Sequence, residues 1–264
     1  MHQTLRRPIR IGLWIVLLGS ASAGTAQRLQ PDPKRDSLVA EKNYHLTATG
    51  ITIPAGFIIY GALALNKNTP MYKLNQSTSH EIKEDHPHFA SNMDNYLKYA
   101  PAVATVALEA AGVKGAHTAS QTAVLYGMSY TIMAISTETV KHLTHETRPD
   151  GSDQLSFPSG HTATAFASAE LMRLEYKDTH PWLSMSGYVA ATATGLLRMY
   201  KQRHYAGDVV AGAGVGILST EAAYLLYPVM RRVFSPNKQE IKMTLLPTYD
   251  AQWHSAGLSF AYHL

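Results

Sequence analysis

The chain contains no cysteine. That excludes disulfide frameworks, cysteine-held zinc, iron–sulfur clusters and thiol catalysis. Charge is also scarce. Asp, Glu, Lys and Arg make up 16% of the 264 residues, and hydrophobic residues make up 45%; ordinary globular domains carry roughly 25% charged residues. Such a chain is not a disordered or nucleic-acid-binding tail. It hides most of its surface, in itself or in lipid. A net basic field is absent too. The formal charge is +4, but Arg6, Arg7 and Arg10 lie in a stretch, residues 1–26, that holds no acid. The remainder is close to neutral, so nucleic acid is excluded as a partner.

What is present begins with an export pattern. Three arginines in residues 1–10 precede an apolar run at 11–18 (IGLWIVLL), and small residues follow at 21–23 and 24–26. Charged start, short apolar middle and small-residue end are the parts of a secretory signal. The apolar run is shorter than the ~20 residues of a membrane span. We expect residues 1–26 to be a signal peptide cleaved after Ala23 or Ala26. The protein then works outside the cytoplasm, in the periplasm or on its membrane.

Residues 27–90 read as a polar lead-in interrupted by a first buried helix at 51–66; 67–90 read as polar surface. Residues 91–233 contain five helical candidates, at 91–113, 118–143, 160–176, 182–200 and 206–233. Their apolar residues are mixed with Ala, Gly, Ser and Thr, which let helices approach closely. The expected fold class is therefore all-α: a bundle of about six helices with the site between helices. Residues 241–249 and 258–264 alternate apolar and polar residues and predict a short C-terminal β-hairpin within 234–264. Membrane contact is open at this level. Residues 115–137 and 179–197 are long uncharged stretches, yet Glu109 and Glu221 sit inside other helices and mean hydropathy is −0.13.

Three clusters carry chemistry. The first runs from Lys141 to Arg148 and Pro149, where an apolar helix ends. Cations at a helix C-terminus suit its dipole, which is a sufficient structural reason taken alone. The second is Phe157-Pro158-Ser159-Gly160-His161-Thr162. Ser159 can cap the following helix, and a glycine-containing turn feeding a helix N-terminus presents backbone N–H groups that suit a phosphate. The third is Arg198, then His204, then Asp208. His204 and Asp208 are four apart and share a helical face; a carboxylate beside one imidazole nitrogen fixes the tautomer and leaves the other nucleophilic. Singly, each cluster has a plain structural reading. Together they are chemically coherent: Lys141, Arg148 and Arg198 can neutralise a phosphoryl group, His204 can attack it, and His161 can protonate the leaving oxygen. With three cations in place, the reading requires neither metal nor cofactor. His80, His86 and His88 match no ligand spacing and read as solvated loop residues.

The ordered set Lys-x6-Arg-Pro, Pro-Ser-Gly-His and Arg-x5-His-x3-Asp resembles the type 2 phosphatidic acid phosphatase superfamily over about residues 95–230. That superfamily includes membrane lipid phosphatases, class A acid phosphatases and vanadium haloperoxidases. The resemblance implies metal-independent hydrolysis of phosphomonoesters or diphosphates through a phosphohistidine. It casts His204 as nucleophile, Asp208 as its orienting carboxylate and His161 as general acid. It casts Lys141, Arg148, Ser159, the Gly160 N–H and Arg198 as phosphate binders. One position departs from the pattern: the family usually reads Ser-Arg in its third motif, and here Leu197 precedes Arg198. The expectation is a phosphatase acting on a phosphorylated lipid, membrane-associated, with its site facing the periplasm. The alternatives are a soluble periplasmic acid phosphatase for small phosphomonoesters and a non-catalytic envelope scaffold; a vanadate-dependent haloperoxidase fits this short exported chain poorly. The sequence does not fix oligomeric state.

Overall fold

The structure, a computed structural model, describes residues 44, 46–234, 243–250 and 255–262. The expected signal peptide lies outside the described residues. Among the described residues the body is all-α and has eight helices. They are α1 (Ala48–Leu65), α2 (Pro70–Asp85), α3 (Met93–Leu97), α4 (Ala100–Ala110), α5 (Ala119–Thr144), α6 (Gly160–Tyr176), α7 (Pro181–Tyr200) and α8 (Ala206–Phe234).

Local chemistry sets the helix starts. Thr47 and Thr69 cap α1 and α2 by accepting from the backbone N–H of Gly50 and Tyr72, and Pro70 sits in the first turn of α2, where its missing N–H costs nothing. Thr118 and Gln121 form a reciprocal capping box on α5. Ser159 caps α6. Two expectations change. The stretch 67–90, read as polar surface, contains the helix α2. Its polar face is exposed, so no apolar stripe marked it, but Asn75 is buried and its side-chain oxygen accepts from Gly207 N at 2.7 Å. The helix expected over 91–113 is broken into α3 and α4, with Pro101 in the first turn of the second.

The centre of the bundle is α6, which packs on α4, α5, α7 and α8; α8 in turn packs on α1 and α5. Glycine and alanine make these approaches possible. A methyl group at Gly216 would stand 2.3 Å from the Ala163 carbonyl of α6, and one at Gly214 would stand 2.5 Å from the Pro54 carbonyl of α1. The helix α8 therefore lies against both neighbours almost backbone to backbone.

The outside of the bundle is apolar in many places. Ile53 and Ile59 of α1, Val103 and Val106 of α4, Ile135 of α5, Trp182 and Val189 of α7 and Val229 of α8 are all more than half exposed. The segments Ala48–Leu65 and Ala206–Arg231 are long and apolar enough to cross a membrane, although the second is mostly buried within the bundle. After the helices, Met243–Asp250 and Ser255–Tyr262 run antiparallel, with Met243 opposite Tyr262 and Asp250 opposite Ser255. Nothing in the helical body supports this hairpin as part of the fold, and the architecture established is the all-α one.

Candidate active site

The three sequence clusters meet at one end of the bundle. The last turn of α5 brings Lys141, the start of α6 brings Gly160 and His161, and the last turn of α7 brings Arg198. The connections α5–α6 and α7–α8 supply Arg148 and His204. These six residues line a single cavity of about 300 Å³. A stripe on α5, Tyr130, Met133, Ala134, Thr137 and Glu138, continues the wall upward from Lys141. Lys98 and Tyr99, between α3 and α4, face it.

Each cation is anchored from behind. Lys141 is 6% exposed, and its Nζ donates to the Leu155 carbonyl at 2.6 Å. Burial holds its ammonium below the ordinary lysine value, and nearby Arg148 pushes the same way. The Arg148 Nε donates to Asp153 Oδ1 at 2.7 Å, and Asp153 is itself fixed by the Leu155 N–H. The chain reverses here because His145 adopts a left-handed φ of 48° at the end of α5. Arg198 donates from NH1 to Asp94 Oδ2 at 2.8 Å, while its buried Nε has no hydrogen-bond partner among the described residues. A guanidinium held at one edge with a free N–H is a ready oxyanion donor.

His204 is 3% exposed. Burial, then the positive charges of Arg198, Lys141 and Arg148, hold its imidazole well below the ordinary histidine value. It is therefore neutral, the form with a lone pair to donate. Its Nδ1 has no hydrogen-bond partner among the described residues and lies 3.6 Å from Asp208 Oδ2. That is beyond a hydrogen bond. The Asp208 Oδ2 instead accepts from Ser156 Oγ at 2.5 Å and from the Tyr205 N–H at 2.9 Å. Asp208 thus sits behind His204, away from the cavity wall, and is held ready rather than bonded to the imidazole.

His161 is less enclosed. Its Nε2 is 2.9 Å from Asn95 Oδ1, 3.4 Å from Lys98 Nζ and 4.0 Å from Asp94 Oδ2. Burial first, then Arg198 and Lys98, push it down to about 3 against the opposing pull of Asp94. With no anion bound, this imidazole is neutral. A phosphate dianion placed among the cations would reverse much of that, because an opposite charge within ~4–6 Å favours the protonated form.

Of the eight residues singled out in the sequence, six line the cavity and two stand behind it. Ser159 is fully buried, and its Oγ accepts from the Thr162 N–H and hydroxyl at 3.4 and 2.9 Å, so it serves as the cap of α6. Asp208 is the other. Gly160 is not needed for space: an added methyl there would come no closer than 3.9 Å to Lys141. Sequence reasoning placed a helix over 91–113 but missed the site residues near its start. Asp94 and Asn95 of α3 and Lys98 just after it stand beside His161, and Asp94 also holds Arg198.

Residues 122–232 match the family model of the PAP2 superfamily. A lipid A 1-phosphatase of Porphyromonas gingivalis is 36% identical over 157 residues, covering 59% of this chain. The chain spans about a third of that relative's length (35%). A crystal structure of a transmembrane PAP2-type phosphatidylglycerolphosphate phosphatase from Bacillus subtilis aligns with a TM-score of 0.48 and 16% identity, over 72% of this chain and 98% of that one.

Proposed function

We propose that the protein is a membrane-associated lipid phosphate phosphatase that cleaves a phosphomonoester through a phosphohistidine. The observation that carries the reading is the convergence in one cavity of a neutral buried His204, a second imidazole at His161 and the cations Lys141, Arg148 and Arg198. The cations hold the phosphoryl oxygens and neutralise charge as the bond to the leaving oxygen breaks, which is the main requirement of phosphoryl transfer. His204 attacks phosphorus in line, forming the N–P bond as the P–O bond breaks. His161, protonated beside the bound dianion, gives its proton to the departing alkoxide. His161 then takes a proton from water, whose oxygen attacks phosphorus, releasing inorganic phosphate and free His204. Asp208 stabilises the positive charge that grows on His204.

A lipid is favoured by the surroundings. The α5 stripe leads from Lys141 toward Tyr130, and Val103 and Val106 of α4 and Ile135 of α5 add exposed apolar side chains to the outside of the bundle. An amphiphile could leave its chains against the apolar outside of the bundle while its phosphate reaches the cations. By similarity to the lipid A 1-phosphatase, the 1-phosphate of lipid A is the first substrate to try. We further propose that residues 1–26 direct export, so that the cavity faces the periplasm.

The test is phosphate release by the full chain in detergent, with EDTA present. Substrates are lipid A 1-phosphate, phosphatidate and an aryl phosphate. His204→Ala is run in parallel. Release from a lipid that resists EDTA and vanishes in the variant supports the reading; turnover that survives His204→Ala sinks the phosphohistidine. Efficient use of the aryl phosphate alone favours the soluble acid phosphatase instead.

A further inference from the structure

We propose that Asp94 is a positioning residue of this site: its carboxylate fixes Arg198 from behind and stands beside His161 as the local negative charge. The proposal rests on the phosphatase reading for its purpose, though not for its geometry. Asp94 lies outside the segment shared with the superfamily, 28 residues before its first residue Thr122. Yet it is completely buried, at 0% exposure, on a helix of five residues. Its Oδ2 accepts from Arg198 NH1 and its Oδ1 from Lys201 Nζ, both at 2.8 Å. The same Oδ2 is 4.0 Å from His161 Nε2.

Burial by itself would push this carboxyl up, but the hydrogen bonds and charges of Lys201 and Arg198 outweigh burial and hold it below the ordinary aspartate value. Asp94 is thus ionised. A buried anion flanked by two cations is costly to desolvate and is weak evidence for stability alone. Its placement has a clear use. The groups facing His161 are Arg198 from α7, His204 from the α7–α8 connection, Lys98 and Asn95 from the α3 region, and Asp94. Arg198, Lys98 and His204 disfavour a proton on His161; among the charged groups acting on it, Asp94 is the one that favours a proton. A group that must donate a proton among cations needs such a counter-charge. Asp94 also leaves the unpartnered Arg198 Nε free for the ligand while NH1 is held.

The sequence departure gives this arrangement a context. Leu197 offers no hydroxyl at the third motif, and Arg198 beside it is held by a carboxylate 104 residues away.

The experiment reads His161 directly. Full-length protein carrying ¹³C-labelled histidine is loaded with inorganic phosphate in detergent and titrated by NMR, the His161 signal being assigned by its loss in His161→Asn. Asp94→Asn, nearly isosteric, should lower the His161 midpoint by about one pH unit or more. Lys201→Met, which removes a cation from the other oxygen of Asp94, should raise it. In turnover assays the alkaline limb of the kcat profile should move in the same two directions, and Asp94→Glu should restore part of the shift. A general loss of packing would lower the folded fraction in both variants without moving the midpoints oppositely. An unchanged His161 midpoint in folded Asp94→Asn overturns the proposal. If the wild type releases phosphate from no ester, the phosphatase reading fails, and the titration still decides whether Asp94 controls His161.

Discussion

Lys141→Met should separate the demands of the reaction from those of the fold. Lys141 is 6% exposed and makes no ion pair among the described residues; its one hydrogen bond is to the Leu155 carbonyl. Burial and Arg148 both disfavour its charge. The folded protein therefore binds this proton less tightly than the unfolded chain, and keeping the ammonium charged at neutral pH costs stability. Methionine fills a similar volume without charge. It leaves the Leu155 carbonyl unpaired, at about 1–3 kcal/mol, and removes a desolvated ion whose penalty is of order several kcal/mol. The two contributions oppose each other, and the second is at least as large. Thermal unfolding should be unchanged or shifted upward. Turnover should fall by about 10²–10³, the usual loss when one preorganised oxyanion donor is removed. The assay is kcat on the best substrate beside the unfolding midpoint of the same preparation. A variant that unfolds early, or a folded one that keeps kcat within about threefold, would refute the placement of Lys141 as a charge held for the phosphoryl group.

Three further outcomes are expected. Ser159→Ala should lower stability by about 1 kcal/mol, the loss of an N-cap, with kcat nearly unchanged, because the Ser159 hydroxyl already serves Thr162; a large loss of kcat at full stability would make Ser159 a phosphate ligand. Gly216→Ala should destabilise by about 1–3 kcal/mol, since its methyl would meet the Ala163 carbonyl at 2.3 Å, and denaturant unfolding of the purified variant measures it. Stability should fall as pH drops below about 6.5, because His204 and His161 are held below that value in the fold while the unfolded chain takes up protons there; replacing His204 by Asn should flatten this acid slope in a thermal-shift series.

The parts of the site legible in the sequence were those fixed by short-range spacing. Lys141 and Arg148 flank a helix end, Ser159 caps the next helix, and His204 and Asp208 sit four apart; these relations need no knowledge of the fold. The helix α2 was not legible, because its one buried tie, Asn75 to Gly207, spans 132 residues. Asp94 was hidden for the same reason. An aspartate beside Asn95 in a polar stretch looks solvated until α7 brings Arg198 and Lys201 onto it. The sequence also did not show how Asp208 is held. Spacing alone placed Asp208 beside His204, whereas the fold turns that carboxylate toward Ser156 and Tyr205 and leaves Nδ1 unpaired.

The cations are not equivalent in how they are held. Arg148 is backed by Asp153 and Arg198 by Asp94, each through one edge of the guanidinium, while among the described residues Lys141 is backed only by a carbonyl dipole. An arginine can be neutralised from behind and still present donors forward, because its five N–H groups are spread around a plane. A lysine has a single nitrogen, and a carboxylate close enough to compensate it would also stand close to the incoming phosphate. Leaving Lys141 without a paired carboxylate therefore keeps its full charge for the ligand. The paired arginines should lose little of their hold on phosphate in Lys141→Met, so the residual activity of that variant should still respond to Arg148 and Arg198 substitutions.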